Sequence, residues 1–323
     1  MSKSVGNVVA PQQVMKDSGS DVLRLWVSMV DYRDEVRLGK EVLARTVEAY
    51  RKIRNSAFKY LISNLFDFDP ARDLLPPADL LEIDRFALAR YARLARRVLD
   101  AYEAYDFQTV FHAVNEFVTG DLSAFYADVC KDRLYTLRAD SRERRSAQTV
   151  QYTIADGLTR LLAPVLSVTC DEIWIHLPGT RDPSVHLADF PSQTDRWFDP
   201  PLEERWNRLL EIRGTVNLVL EAARQKKDIG SNLGAQVTIR AAGADYELLE
   251  RHEADLPMLL IASAVAIVPA QAGQDLAIDV RPADGTKCPR CWRVVTEIVP
   301  AGDLAGLCLR CADAVGDAVA ASR

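Results

Sequence analysis

Four cysteines constrain this chain more than any other feature. Cys288-Pro-Arg-Cys291 and Cys308-Leu-Arg-Cys311 are two Cys-x-x-Cys pairs separated by sixteen residues, a spacing at which two knuckles can bring four thiolates onto one tetrahedral zinc ion. Val294 to Val299 and the turn Pro300-Ala-Gly-Asp303 suggest a hairpin-like connection between them. So short a segment cannot hold itself together by apolar burial, and a metal would supply the missing folding energy. Two structural disulfides are the competing account. The N-terminus lacks the apolar core of a signal peptide, so a reducing compartment is expected, where such disulfides are rare. Four thiolates fill a zinc ion's coordination sphere and leave no position for substrate or water, which makes one structural ion the expectation. The remaining cysteines, Cys130 and Cys170, lie in helical contexts and read as buried free thiols.

The other 280 or so residues must be organised around a different principle. The chain has 323 residues and is 48% hydrophobic, enough for two or three domains with cores of their own. No apolar run approaches the length of a membrane span, so a globular, cytoplasmic protein with no membrane contact is expected, and a monomer is the expected state. The net charge of -6, from 40 basic and 46 acidic residues, argues against a generally basic coat but permits a local basic face.

Helical periodicity dominates from residue 40 to residue 176. Leu43, Val47, Tyr50, Ile53, Ala57, Leu61 and Leu65 form one stripe, whose other faces carry Lys40, Arg45, Arg51, Lys52, Arg54 and Lys59 against Glu41 and Glu48. A solvated face explains that surplus; phosphate contact, centred on Arg54 and Lys59, is the functional alternative. After Pro76-Pro77, Asp79 is placed to cap a second helix with Ile83, Phe86, Ala87, Leu94 and Val98 in register. A third runs from about Gln108 to Thr119, Gly120-Asp121 reads as an interruption, and a long helix follows through Val150, Ile154, Leu158 and Leu161. Such stripes cannot be buried singly, so a helical bundle is expected over residues 40–190. His112 and His176 have no suitably spaced ligand partners and read as packed or surface histidines.

Residues 178–201 form a proline-rich connector, and Leu202 to Lys227 reads as another helix ending in Arg224-Gln-Lys-Lys227. The period then changes to alternation at Val237-Thr-Ile-Arg240, with further strand candidates at Ala264 to Val268 and Leu276 to Val280. A small α/β domain over 191–285, covered by Tyr246 to Ile261, precedes the zinc-binding module at 286–323. Around the knuckles, Arg290, Trp292 and Arg293 could offer cations and a stacking ring to an unpaired base; equally, Trp292 could pack on the metal loop.

Met1-Ser2-Lys3-Ser4-Val5-Gly6-Asn7 places two hydroxyls, a mobile ammonium and a glycine in one loop, a composition suited to a phosphate site. Together with Asp21-Val-Leu-Arg-Leu-Trp26 and Asp31-Tyr32-Arg33-Asp34-Glu35-Val36-Arg37, it resembles the KMSKS signature loop and following stretch of class I aminoacyl-tRNA synthetases, nearest to the isoleucyl enzymes. Tyr50-Arg-Lys-Ile-Arg-Asn55, Asn64-Leu-Phe-Asp-Phe-Asp-Pro70, Asp121-Leu-Ser-Ala-Phe-Tyr126 and Lys131-Asp-Arg-Leu-Tyr135 look like their helical anticodon-binding bundle, shared with valyl and leucyl relatives. Cys-Pro-Arg-Cys-Trp with a distal Cys-x-x-Cys resembles the zinc module of the bacterial-type isoleucyl enzymes. The lysine that opens the family loop is missing, because this chain starts at its methionine, and no His-x-x-His pair occurs.

The resemblance implies a mainly α protein: residues 1–39 the end of a catalytic domain, then anticodon-binding bundle, small α/β domain and zinc module. It implies ATP as substrate, with Mg in the parent enzyme, and isoleucine and tRNA(Ile) as partners. Lys3 is then the candidate for contacting ATP phosphates, with Ser2 and Ser4 shaping the loop as further catalytic candidates. A C-terminal fragment inactive by itself is expected. The rival readings are a non-enzymatic tRNA-binding zinc module and the same region of a valyl or leucyl relative.

Overall fold

A computed structural model describes residues 9–33, 38–192, 194–271, 273–274 and 276–321, with side chains to residue 316. The chain divides into two compact units, one of residues 1–128 and 145–199, the other of residues 129–144 and 200–323.

The first unit is helical. Helices α1 (Pro11–Ser18) and α2 (Ser20–Met29) are separated by Gly19, whose φ of +88° only glycine adopts without strain. Helix α3 (Lys40–Arg51) continues without a break through π-helical turns at Lys52–Lys59 into α4 (Tyr60–Ser63), so the expected single helix contains a wider-wound middle. Short α5 (Pro70–Asp73) follows, and then α6 (Glu82–Glu103) and α7 (Phe107–Glu116). The interruption expected at Gly120-Asp121 is absent: Phe117–Tyr126 is again π-helical and leads directly into α8 (Ala127–Thr136), which from Val129 onward belongs to the second unit. Helices α9 (Arg142–Leu162) and α10 (Ser167–Trp174) complete the bundle, and the connector holds only short 3-10 turns at Val185–Leu187 and Thr194–Trp197.

Asp79 does not cap α6. It ends a 3-10 turn, Pro77–Asp79, that the preceding proline sets up, and the backbone position before the helix belongs to Leu81. Ser146 Oγ on α9 instead accepts the Leu81 N–H at 2.9 Å, and its hydroxyl donates to buried Asp84 in the first turn of α6. Tyr126 OH donates to the other oxygen of Asp84 at 2.6 Å, so a carboxylate in the apolar core has partners for both oxygens. The run Asn64 to Asp67 is tied down by buried Gln148, which donates to Asn64 O at 2.8 Å and to Asp67 Oδ1 at 2.7 Å. Tyr91 of α6 fills the space beside Gly157 of α9: a Cβ built on Gly157 would lie 1.6 Å from the hydroxyl of fully buried Tyr91.

Helix α2 is fastened to the same bundle. Asp21 accepts the N–H groups of Thr169 at 2.7 Å and Val168 at 3.3 Å, placing a carboxylate at the positive end of α10. One turn on, Arg24 donates to the carbonyls of Val165 and Pro164.

In the second unit, α11 (Pro200–Gln225) buries Leu202, Trp206, Leu209, Ile212, Val216 and Leu220. Arg213, next to Ile212 on the same helix, donates to Leu259 O at 2.9 Å. Strand β1 (Ala235–Ala241) buries every second residue, the alternation read in its sequence. Parallel strand β2 (Ala264–Pro269) is reached by a crossover containing α12 (Gly243–Arg251) and α13 (Leu256–Leu259), and β3 (Ala277–Pro282) pairs antiparallel on the other side, giving the order β2-β1-β3. Mainly helical architecture, a small sheet and a terminal cysteine cluster agree with the expected fold class. The compact unit joins the sheet to the cysteine segment, and Val294 N–H donates to Ser263 Oγ at 2.8 Å across what the sequence suggested was a boundary.

Candidate metal centre and nucleic-acid interface

A two-stranded ribbon, β4 (Thr286–Lys287) against β5 (Val294–Val295), builds the first knuckle. Gly285 opens it at φ +122°, and any Cβ there would strike the Val295 carbonyl oxygen at 2.2 Å, so only glycine lets the two strands close. Cys288 N–H donates to Arg293 O and Trp292 N–H to Cys288 O, both at 2.9 Å, which folds Cys288 to Cys291 into a tight loop. The second knuckle starts at Cys308, which bridges Ile298, and passes into helix α14 (Leu309–Ala321), so that Cys311 lies in the first helical turn. The link between knuckles is hairpin-like at Val299 and Leu307, while Val294–Val295 belongs to the earlier ribbon.

The four sulfurs lie within 4.8 Å of one another and all four cysteines are buried. Cys291 Sγ and Cys308 Sγ are 3.7 Å apart, far beyond a disulfide's ~2.05 Å and close to the ~3.8 Å edge of a sulfur tetrahedron around an ion with 2.3 Å bonds. Val295 and Leu307 pack against the sulfurs. Burial opposes ionisation of Cys288, but N–H groups of Cys291, Cys308 and Arg290 outweigh it and bring that thiol down to about 6. Burial pushes Cys311 up to about 12. The donor chemistry, spacing and seclusion fit a four-thiolate structural ion.

The flanking cations are arranged differently from what the sequence suggests. Arg290 donates to the carbonyls of Thr136 and Tyr135 at the end of α8, and Arg293, only 18% exposed, pairs with Asp132 at 3.2 Å. Arg310 grips the same Asp132 with a two-pronged bond at 2.5 and 2.7 Å; two arginines hold that carboxyl below the ordinary aspartate range even though burial works against them. Arg290 and Arg293 are therefore engaged within the protein. Trp292 does not pack down on the metal loop: it is 61% exposed, at φ +65°. Lys287 is exposed nearby in sequence.

In the first unit, Lys40, Arg45, Arg51, Lys52, Arg54 and Lys59 are all exposed along α3 and its π-helical continuation. Arg54 has only a loose pairing, 3.9 Å, with Glu172, and the ion pair is itself solvated. Lys3, Ser2 and Ser4 lie outside the described residues. Cys130, Cys170, and the cysteines of the cluster are all free thiols, and burial together with two nearby aspartates drives Cys170 well above the ordinary range. No helix among the described residues is long and apolar enough to cross a membrane.

Family profiles match three stretches. Residues 84–239 match the anticodon-binding domain of tRNA ligases, residues 1–39 the class I tRNA synthetases for I, L, M and V, and residues 285–314 a zinc finger found in FPG and IleRS. With the helical bundle and the sulfur cluster, they define the anticodon-binding region of a class I tRNA ligase joined to a zinc-finger region. The isoleucine–tRNA ligase of Syntrophotalea carbinolica is 48% identical over 98% of this chain and 35% of its own length. That of Geobacter sulfurreducens is 46% identical over the same shares. By sequence the chain belongs with the isoleucine–tRNA ligases, and it spans about a third of the length of these curated relatives. A LeuRS–tRNA–LeuAMS complex from Agrobacterium radiobacter K84 aligns with 76% of this chain and 24% of its own at 17% identity and a TM-score of 0.45, too low a likeness to carry detail.

Proposed function

We propose that this chain is the tRNA-gripping part of an isoleucine–tRNA ligase, held in shape by one structural zinc ion on Cys288, Cys291, Cys308 and Cys311. The observation that carries the reading is the buried cluster of four sulfurs within the stretch that matches the IleRS zinc finger. In the whole enzyme, isoleucine's carboxylate attacks the α-phosphate of ATP and expels pyrophosphate, and the acyl group then passes to the terminal ribose of tRNA(Ile). Lys3 supplies a positive charge to the phosphates while Ser2 and Ser4 shape its loop, with Mg as the accompanying cation. The polypeptide by itself, working as a monomer, binds tRNA and does not activate isoleucine.

Among the described residues, the exposed basic face of α3 and the exposed Trp292 ring are features open to RNA. Titrating a tRNA(Ile) transcript with the chain should give affinity that falls steeply with salt, with Arg54→Ala and Lys59→Ala each reducing the log–log slope by about 1. Trp292→Gly relieves the left-handed backbone and removes the ring, so it should preserve or raise melting temperature while weakening RNA binding; stacking of one base is worth ~1–3 kcal/mol. A flat salt response with unchanged affinity in all three variants would rule out this interface. Isoleucine-dependent pyrophosphate exchange by the chain alone would contradict the division of labour.

A further inference from the structure

The two knuckles share a feature beyond their cysteines: in each, the residue just before the second cysteine is an arginine, Arg290 in one and Arg310 in the other. Each side chain reaches across to the last cysteine of the opposite knuckle. Arg290 Nη1 lies 3.6 Å from Cys311 Sγ, and Arg310 sits near enough to Cys291 for the two side chains to interact electrostatically. Both guanidinium groups also hold α8, Arg290 through the Thr136 and Tyr135 carbonyls and Arg310 through Asp132. A zinc ion with four thiolates carries a net charge of about -2, and donors to coordinating sulfurs stabilise that charge and fix ligand orientation. The same two groups thus satisfy sulfur on one side and a helix end on the other.

We propose that Arg290 and Arg310 are positioning residues that make metal occupancy of the four-cysteine site and its docking on α8 a single coupled equilibrium, with Asp132 as the anchor. The proposal rests on the zinc reading. A bound ion fixes the sulfurs of Cys291 and Cys311 in place, so that the two guanidinium groups beside them are held in the orientation that also grips α8. Conversely, a seated Asp132 holds Arg310 where Cys291 needs a donor. Asp132 belongs to this coupling even though Arg310 and Arg293, rather than sulfur, are its partners.

The test uses the zinc-loaded 323-residue chain, with zinc release followed by a colorimetric chelator and amide hydrogen exchange followed through Asp132 to Thr136. Arg290→Met and Arg310→Met should each release zinc about 10- to 100-fold faster. Asp132→Asn should also speed release, while Arg208→Met, which breaks the pair between Arg208 on α11 and Asp245 on α12, should leave it unchanged. Stripping zinc from the wild type should accelerate exchange in the last turn of α8. Arg310→Lys keeps the charge without the fork and should lie between wild type and Arg310→Met, guarding against a variant that merely misfolds. One equivalent of zinc in the wild type with wild-type release rates in folded arginine and Asp132 variants would overturn the coupling alone, as would unchanged α8 exchange on stripping. Equal acceleration in Arg208→Met would assign the effect to general destabilisation and overturn it too. A wild type that takes up no zinc would overturn the metal reading and the coupling with it.

Discussion

Tyr91 and Gly157 set a steric condition in the bundle that leaves no room for a side chain at position 157. The Tyr91 hydroxyl is buried without a hydrogen-bond partner among the described residues, and burial holds it strongly protonated. It also occupies the space a Cβ at position 157 would need. Gly157→Ala should therefore destabilise by about 1–3 kcal/mol through overpacking, a cost that exceeds alanine's gain in helix propensity. Tyr91→Phe removes an unsatisfied polar group and should be neutral or stabilising; in the double variant the alanine should cost less. Denaturant unfolding of the four chains measures the coupling directly. Asp73 provides a pH handle in the same unit. Arg72's two-pronged bond lowers its carboxyl to about 2, against the opposing effect of burial and with help from Asp69 N–H and Arg145. A depressed carboxyl contributes stability that is complete above its unfolded value, near 3.8, and is lost as pH falls toward the folded one. The melting-temperature difference between wild type and Asp73→Asn should hold constant above about pH 5 and close between about pH 4 and 2.

Elements differ in how plainly their residues announce them. The stripes of α6 and α9 and the alternation of β1 follow from apolar spacing alone, because each buries one face on a neighbour. The π-helical turns do not: Gly120-Asp121 has the composition of a break, yet Phe117, Val118, Leu122, Phe125 and Tyr126 are buried by continuing through it. The wider winding keeps those side chains on the core, and no local signal separates it from a loop. The four cysteines were legible because their spacing is local, whereas the work of Arg290, Arg293 and Arg310 depends on α8, about 155 to 178 residues away in sequence. Asp21 is likewise legible only in three dimensions. As the cap of α10 it should be worth about 1 kcal/mol, and Asp21→Ala should lower stability by that amount, whereas Asp21→Asn should cost less. Urea unfolding followed by helical circular dichroism checks both.

At the scale of the whole molecule, metal and fold should separate cleanly between the two units. The first unit owes its stability to buried apolar stripes, while residues 285–314 contain little core besides the sulfurs, Val295 and Leu307. Chelation of zinc should leave most helical signal in place and abolish exchange protection around Cys288 to Cys311. Acid should mimic chelation, since metal binding releases thiol protons and weakens as pH falls. Re-addition of zinc at neutral pH should restore protection.

Asp21 and Arg24 have a mechanical consequence as well. They pin successive turns of α2 to the start of α10 and to the carbonyls just before it, so α2 itself is fastened at two points. A pull applied to α2 would be transmitted into the anticodon-binding bundle as through a lever, instead of being absorbed by a hinge.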